Sequence, residues 1–245
     1  MNTVSVPDWL LAWPKFTALL GGYLVRLAKL PAAEVEKCWL YRACHSAQER
    51  PEARQHLEAL EEAASLCDGQ ARTALSKKFE GTLPRSPTAS SRDHDGRFLD
   101  VVVELTAYGW LRREYPTGVL EYVEAGDGRS PDLRVRASQM VGVECKNLHH
   151  SQEVSDAFDA GEMVSGNVMM DEAFIQKVQN ALDNAVQQLA AYEDKIVFLN
   201  ITLDPKLWPI ESEVGDAIHD IVPSGCGVVV FLNYSWEKPR WVLLP

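Results

Sequence analysis

The sequence predicts an α/β protein in which a mixed sheet is flanked by helices and preceded by an all-helical domain. In the first eighty residues, apolar side chains recur at helical spacing. Residues 81–96 then concentrate Pro, Ser, Gly and charge without periodicity, which is typical of a linker. After this linker come a helix, three strands, a second helix and further strands. Such an order indicates a sheet packed against helices.

The helical accessory domain is predicted over residues 1–80. Apolar residues keep helical spacing as far as Leu27. Pro14 fits only near the start of a helix, because proline lacks the backbone N–H that a helix interior needs. Two further helices are predicted at about 32–48 and 51–66.

The second domain is predicted over residues 97–245. Its helices are predicted at 98–115 and at 171–194, because both stretches carry helical patterns. Its strands are predicted at six short runs, in two of which, 132–136 and 141–146, apolar residues alternate with polar ones. These runs cover residues 119–124, 132–136, 141–146, 196–203, 227–233 and 241–244.

The composition is that of an ordinary globular protein. Hydrophobic residues make up 46% of the 245 positions and charged residues 24%, which argues against a mainly disordered or collagen-like chain. No stretch approaches the roughly 18 uninterrupted apolar residues of a membrane span. The five cysteines include no C-x-x-C pair, so neither a disulfide framework nor a structural zinc site is expected. We therefore expect a cytoplasmic protein without a membrane partner.

The net charge of −11 disfavours nucleic acid at first sight, because binding it requires Lys and Arg to neutralise phosphates. The charge is unevenly distributed, however. Residues 1–90 hold 11 basic and 10 acidic residues, whereas residues 91–245 hold 13 and 25. Part of the acidic excess is a cluster at 153–162 that contains no basic residue. We interpret this cluster as a candidate gate that opposes DNA until it moves.

Two carboxylates and an ammonium group are predicted to meet on one surface of the sheet. Side chains alternate between the two faces of a strand, so Glu144 and Lys146 share a face. If their strand pairs with the preceding one as a hairpin, Asp132 can join them. A simpler interpretation is a solvated face on which these residues form cross-strand ion pairs.

This set of residues suits metal-assisted phosphodiester hydrolysis. Mg²⁺ prefers oxygen ligands and is usually held by one or two carboxylates together with phosphate and water. Asp132 and Glu144 fit that role, with Mg²⁺ or Mn²⁺ as the expected cofactor. Lys146 would then orient the attacking water or stabilise the charge that develops in the transition state.

Two further residues are candidates for the same site. Glu104 lies on a helix that is apolar almost all round, where a carboxylate needs a metal or a hydrogen-bond partner such as a tyrosine hydroxyl. Gln188 lies on the rim of the buried face of the helix predicted at 171–194, so it can reach the sheet surface. It could equally be an ordinary boundary residue of a packed helix.

These motifs together resemble the PD-(D/E)xK nuclease superfamily. Pro131-Asp132 is followed by Glu144-Cys145-Lys146, and Gln188 with Tyr192 is similar to the Q-x-x-x-Y motif of the RecB-like branch. The resemblance implies a restriction-endonuclease-like αβββαβ core, metal ligation by Asp132 and Glu144, and Glu104 as the helix acid that supports the metal. Cys145 differs from the commoner aliphatic residue.

Four other residues are candidates for contacts with nucleic acid. Arg134 and Arg136 share the face of the carboxylates, while Lys177 and Tyr192 lie on the same side of the long helix as Gln188. Each also has a simpler interpretation, as a solubilising surface charge or as a boundary residue of a packed helix.

The leading hypothesis is therefore a Mg²⁺-dependent nuclease acting on DNA, with a defence or repair role suggested by analogy with the family. A second hypothesis is a catalytically silent binding or regulatory subunit of a larger assembly, and a third is an oligomerising scaffold. The helical domain could contact DNA, bind a protein partner or form a homodimer.

Overall fold

The protein is of the α/β class, with two compact units, Met1–Tyr122 and Val123–Pro245. The computed structural model describes residues 7–83, 91–123, 130–148, 172–202, 211–232 and 239–243. Nine α-helices and six β-strands are formed by these described residues.

The first unit is almost entirely helical. Asp68 caps one helix, since its side chain accepts a hydrogen bond from the backbone N–H of Ala71 at 2.9 Å. Proline stands in the first turn of two others, at Pro14 and Pro51, where its missing N–H costs nothing. The elements are α1 Pro14–Leu19, α2 Gly21–Leu27, α3 Ala32–Val35, α4 Trp39–Glu49, α5 Pro51–Leu66, α6 Gly69–Thr82, α7 Ser91–Glu114 and strand β1 Val119–Tyr122.

An aromatic cluster holds α7 within this unit. The ring of Phe98 on α7 is almost fully buried, and its centroid lies 4.9 Å from that of Tyr23 and 5.1 Å from that of Phe79. Trp39 lies beside the same ring, at 5.9 Å. The helix that the sequence assigned to the second domain is therefore a core helix of the helical unit.

The boundary between the two units consequently differs from the predicted linker at 81–96. Helix α6 continues to Thr82, and α7 begins at Ser91, so both ends of the predicted linker are helical. The compact units divide between Tyr122 and Val123, after α7 and β1. The physical reason is that apolar side chains of α7 bury against α5 and α6, which are helices of the first unit.

The second unit is built on a mixed sheet in which five strands lie side by side in chain order. Strands β3, β4 and β5 are parallel to each other, while β2 and β6 are antiparallel to their neighbours. The elements are β2 Leu133–Arg136, β3 Met140–Leu148, α8 Glu172–Gln188, β4 Asp194–Ile201, α9 Glu211–Ile221, β5 Gly227–Leu232 and β6 Trp241–Leu243.

The parallel strands are buried on both faces, as is usual for parallel strands in α/β proteins. One face packs against α8 and α9 through a core of aliphatic side chains that includes Leu182, Val197 and Val230. On the other face Phe198 and Phe231 stack with their centroids 4.8 Å apart. The central sheet is thus shielded from water on both sides.

The long helix confirms the predicted buried arc but ends earlier than predicted. Val178, Leu182 and Ala185 are fully buried, whereas Gln187 is exposed. The helix stops at Gln188 rather than at residue 194, and β4 already begins at Asp194. Helix α9 was not predicted, although Val214 and Ile218 are spaced to share a helical face.

In the described part of the chain, no helix has the length and apolar character required to cross a membrane. None of the five cysteines is in a disulfide. Burial raises the pKa of the thiols of Cys44 and Cys67 to about 12.

Candidate functional site

The hairpin of β2 and β3 brings the two predicted metal ligands to the same place. Leu133 pairs with Val143 in the antiparallel ladder, and the same register continued by one residue sets Asp132 opposite Glu144. Directly opposed residues point to the same face of a sheet. Asp132 and Glu144 therefore share one face at the beginning of β2.

Glu144 is a buried carboxylate in the middle of β3. Only 3% of the residue is exposed, because α8 covers this face of the sheet. Its Oε1 accepts a hydrogen bond from Lys146 Nζ at 2.7 Å, while its Oε2 is buried and has no hydrogen-bond partner among the residues that the structure describes. A buried acceptor without a partner is costly, so this oxygen is suited to bind a cation or a donor from a ligand.

Lys146 links the sheet to the end of α8. Its Nζ donates to Glu144 Oε1 and also, at 2.9 Å, to Oε1 of Gln188. Gln188 is the last residue of α8. It lies three residues after the buried Ala185, and residues three apart lie on the same side of a helix, so Gln188 is on the side that faces the sheet. The ammonium group has three donors, so one remains for a water or a phosphoryl oxygen.

Asp132 is anchored to β3 through the backbone. Its Oδ2 accepts a hydrogen bond from the N–H of Cys145 at 2.8 Å, which fixes the carboxyl group beside Glu144. Only Oδ2 takes part in a hydrogen bond with the described residues. The other oxygen, Oδ1, is the one that could bind a cation.

The electrostatics of this group favour a cation. Burial raises the pKa of Glu144 above its ordinary value of 4.5, and the negative charge of Asp132 raises it further. The hydrogen bond and the positive charge of Lys146 lower the pKa of Glu144 in part. Two neighbouring carboxylates repel each other, so a bound cation would relieve a cost that Lys146 alone does not remove.

The simpler interpretation, a solvated hairpin face, is wrong for Glu144. A solvated ion pair would leave its carboxylate exposed, yet its side chain is 4% exposed and that of Lys146 is 26% exposed. The sequence pattern identified the face correctly as polar, but the end of α8 covers it. Gly142 and Glu144 are both buried there.

Glu104 lies in the first unit and has a partner of its own. Its Oε2 accepts a hydrogen bond from Lys78 Nζ at 2.5 Å, and its side chain is 12% exposed. The predicted tyrosine hydroxyl is also nearby, since Tyr122 donates to the backbone carbonyl of Glu104 at 3.3 Å. An ion pair therefore meets the need for a partner, and the predicted role of Glu104 at a metal stays a prediction.

The predicted nucleic-acid contacts lie in different surroundings. Arg134 is half-buried opposite Gly142, and Arg136 is exposed opposite Met140, both on the face of Glu144. Tyr192 lies in the turn after α8, and its ring lies beside Gly142 of β3. Lys177 is exposed about 16 Å along α8 from Gln188, given a rise of about 1.5 Å per residue, so the helix does not bring it to this group.

Sequence reasoning missed Gly142. A Cβ atom at this position would lie 2.6 Å from Tyr192 Cγ, so the ring of Tyr192 occupies the space beside the glycine. A glycine inside a strand pattern signals the close approach of another group, and that signal was present in the sequence.

The residues present fit a divalent cation with a limited set of protein ligands. Among the residues that the structure describes, no group of three or more His, Cys, Asp or Glu side chains could hold a metal ion. Asp132 and Glu144 still match the usual mode of Mg²⁺, in which water and substrate phosphate complete the coordination. The buried Glu144 Oε2 without a partner is the observation that supports this fit.

Clefts in the described part of the chain include two that are lined by other residues. One, of about 660 Å³, lies beside Trp9 and Trp13 in the first unit. Another, of about 370 Å³, lies beside His219 and Cys226 in the second unit.

Comparisons with protein-family models, with curated proteins and with solved structures gave no match to this chain.

The acidic cluster at 153–162 lies outside the described residues.

Proposed function

We propose that the second unit is a Mg²⁺-dependent nuclease that hydrolyses phosphodiester bonds in DNA. The observation that carries this proposal is the buried carboxylate of Glu144, whose Oε2 has no partner among the described residues, beside Asp132 and the Lys146 ammonium. The resemblance of these residues to the PD-(D/E)xK motif supports the same activity. The suggestion of a defence or repair role rests on that resemblance alone.

Asp132 and Glu144 would hold the metal, which can be Mg²⁺ or Mn²⁺. The metal would lower the pKa of a bound water and stabilise the charge on a phosphoryl oxygen. Asp132 would contribute Oδ1, because its Oδ2 already accepts a hydrogen bond from the N–H of Cys145. Glu144 would contribute Oε2, which is buried and has no hydrogen bond with the described residues.

Lys146 is placed to act on the reacting groups. Two of its N–H donors are held by Glu144 and Gln188, so the direction of the third is restricted. That donor can orient the attacking water or hydrogen-bond to a phosphoryl oxygen as negative charge develops. Gln188 accepts the second of these hydrogen bonds and thereby helps to hold the ammonium group in place.

The distribution of positive charge supports a polyanionic substrate. The second unit, residues 123–245, holds 19 acidic and only nine basic residues. Four of those nine lie on the face of Glu144 in three adjacent strands, as the strand registers show. They are Arg134, Arg136, Lys146 and Lys195. Concentrated basic residues in an otherwise acidic unit favour local contacts with phosphates.

A cleavage assay with matched variants tests the proposal. Supercoiled plasmid and end-labelled linear DNA and RNA are incubated with Mg²⁺, with Mn²⁺ and with a chelator. We expect cleavage only with the metal, and a loss of at least about a hundredfold in Lys146→Met and Asp132→Asn. Lys29→Gln, an exposed lysine of the first unit, serves as the control. Absence of cleavage of every substrate would refute the activity.

A second candidate function is a binding or regulatory subunit without turnover. The observation that favours it is the ion pair of Lys146 with Glu144, in which one of the two carboxylate oxygens, Oε1, is already paired with a positive charge. Titration calorimetry with Mg²⁺ separates the two functions. No heat of binding, together with a stable protein partner in pull-down experiments, would favour the silent subunit.

A further inference from the structure

Gly142 lies two residues before Glu144 on the same face of β3. A Cβ atom at this position would meet Tyr192 Cγ at 2.6 Å, Tyr192 Cδ2 at 2.8 Å and Leu189 Cδ2 at 3.0 Å. Ordinary contacts of a Cβ atom begin at 3.4 Å. The missing side chain of Gly142 therefore allows the segment after α8 to lie directly on the strand.

The segment that rests on Gly142 is continuous with Gln188. The N–H of Leu189 donates to the carbonyl of Ala185 at 2.9 Å, which extends the last turn of α8. The N–H of Tyr192 then donates to the carbonyl of Leu189 at 3.0 Å, so residues 189–192 form a closed turn. These hydrogen bonds connect Tyr192 to the end of α8, so a displacement of the ring away from β3 would be passed on to Gln188.

We propose that Gly142 is a positioning residue for Lys146, and that it acts through Tyr192 and Gln188. This inference rests on the proposed nuclease function. Its content is that the absence of a side chain at position 142 brings Gln188 Oε1 within 2.9 Å of Lys146 Nζ. Sequence motifs do not include this position, since Gly142 neither binds a metal nor contacts the reacting groups.

The size of the effect follows from the contact distances. An alanine methyl group at position 142 needs about 0.8 Å more room than the 2.6 Å that separates it from Tyr192 Cγ. If the turn moves out by that amount, the bond between Lys146 and Gln188 lengthens from 2.9 Å to about 3.7 Å, beyond the range of a hydrogen bond. A misplacement of about 1 Å in a catalytic group can reduce a rate about a hundredfold.

Five variants of the full chain test this inference, one of them Tyr192→Phe, which keeps the ring and removes only the hydroxyl group. Gly142→Ala adds the methyl group, Tyr192→Ala removes the ring, and the double variant Gly142→Ala, Tyr192→Ala replaces one by the other. Val178→Ala is the control for loss of packing, because Val178 is a buried residue of the same helix about 15 Å along its axis from Gln188. For each variant, kcat and KM for DNA cleavage with Mg²⁺ are measured.

A second measurement does not depend on activity. The side-chain amide signals of Gln188 in a two-dimensional ¹⁵N NMR spectrum report its hydrogen bond to Lys146. Lys146→Met gives the reference position for the broken bond. We expect these signals to move toward that reference in Gly142→Ala and in Tyr192→Ala, and to keep their wild-type position in Tyr192→Phe and Val178→Ala.

In the cleavage assay, we expect Gly142→Ala to lower kcat about thirtyfold with KM changed less than about threefold. The double variant should have a higher kcat than either single variant, since the methyl group then fills the space of the ring. Val178→Ala should keep the wild-type kcat. A Gly142→Ala variant with the kcat of Val178→Ala, or with unchanged Gln188 signals, would overturn the inference.

Failure of the inference and failure of the proposed function give different results. If the wild-type protein cleaves nothing while the Gln188 signals respond as expected, the nuclease function fails and the positioning stands. If the wild-type protein cleaves DNA and Gly142→Ala does so equally well, only the positioning fails. Should Gly142→Ala not fold, the pair Tyr192→Ala and Tyr192→Phe decides, since equal Gln188 signals in both would refute the role of the ring.

Discussion

Replacement of Lys146 by methionine is the sharpest test of how the carboxylate of Glu144 is held. Methionine keeps much of the length of lysine and removes the charge and the donors. Glu144 would then be a buried carboxylate with no counter-charge except a bound metal. Removing one partner of a buried ion pair costs about 3–5 kcal/mol. The side chain of Lys146 is 26% exposed, so we expect a value near the lower limit, about 3 kcal/mol at pH 7.

Protonation of Glu144 sets an upper limit on this cost. Taking up a proton at pH 7 from an ordinary pKa of 4.5 requires about 3.4 kcal/mol, at about 1.36 kcal/mol per pH unit. At pH 5 the same step requires only about 0.7 kcal/mol. The destabilisation should therefore decrease from about 3 kcal/mol at pH 7 to about 1 kcal/mol at pH 5, where the lost hydrogen bonds remain.

Urea unfolding of the metal-free protein, followed by circular dichroism, measures the effect. The double variant Lys146→Met, Glu144→Gln is the control, because it removes the buried charge together with its partner. We expect it to recover most of the lost stability at pH 7. A Lys146→Met variant that loses less than about 1 kcal/mol at both pH values would refute the burial of an ionised Glu144 against Lys146.

Three further predictions follow from the structure. Because the folded state raises the pKa of Glu144, this carboxyl group contributes stability that is fully present below pH 4.5 and is lost as the pH rises through the raised pKa. Urea unfolding of the metal-free protein between pH 4 and 8 should therefore show a smaller loss of stability with rising pH in Glu144→Gln than in the wild type. Phe98→Ala should destabilise the protein by about 4 kcal/mol in thermal unfolding, since removal of this ring leaves a cavity in the aromatic cluster of the first unit. A loss below about 1 kcal/mol would contradict the packing of α7 in that cluster. Iodoacetamide should label Cys145 before Cys44, because Cys145 is half-buried whereas burial raises the pKa of Cys44 to about 12. Mass spectrometry of digests taken at early times measures the order of labelling, and labelling of Cys44 first would contradict the prediction.

The sequence was sufficient where a local pattern decides the outcome. Helix α5 has the predicted limits, because Pro51 fixes its start and its apolar stripe runs to Leu66. The alternation of β3 placed Glu144 and Lys146 on one face, and the helical wheel placed Gln188 near them. These features depend on spacing along one or two neighbouring elements, and spacing is visible in a sequence.

The sequence was insufficient where the outcome depends on which element covers an apolar face. The pattern of α7 shows that it is buried, but it does not show that Phe98 packs against Tyr23 and Phe79. In the same way, alternation identified a polar face on β3 without indicating that α8 would bury Glu144 there. Partners far apart in the chain are selected by the shapes of both surfaces, which periodicity does not encode.

The hydrogen bond from the N–H of Cys145 to Asp132 has a consequence for which residues position 145 can accept. Through this bond the motif uses the main chain of position 145, so many side chains that suit a half-buried strand position can stand there. Proline is the exception, because it has no N–H to donate. A chain with proline at this position would lose the anchor of Asp132 while both acidic residues and the lysine remained in its sequence. A match to the letters of the motif would then no longer indicate a formed site.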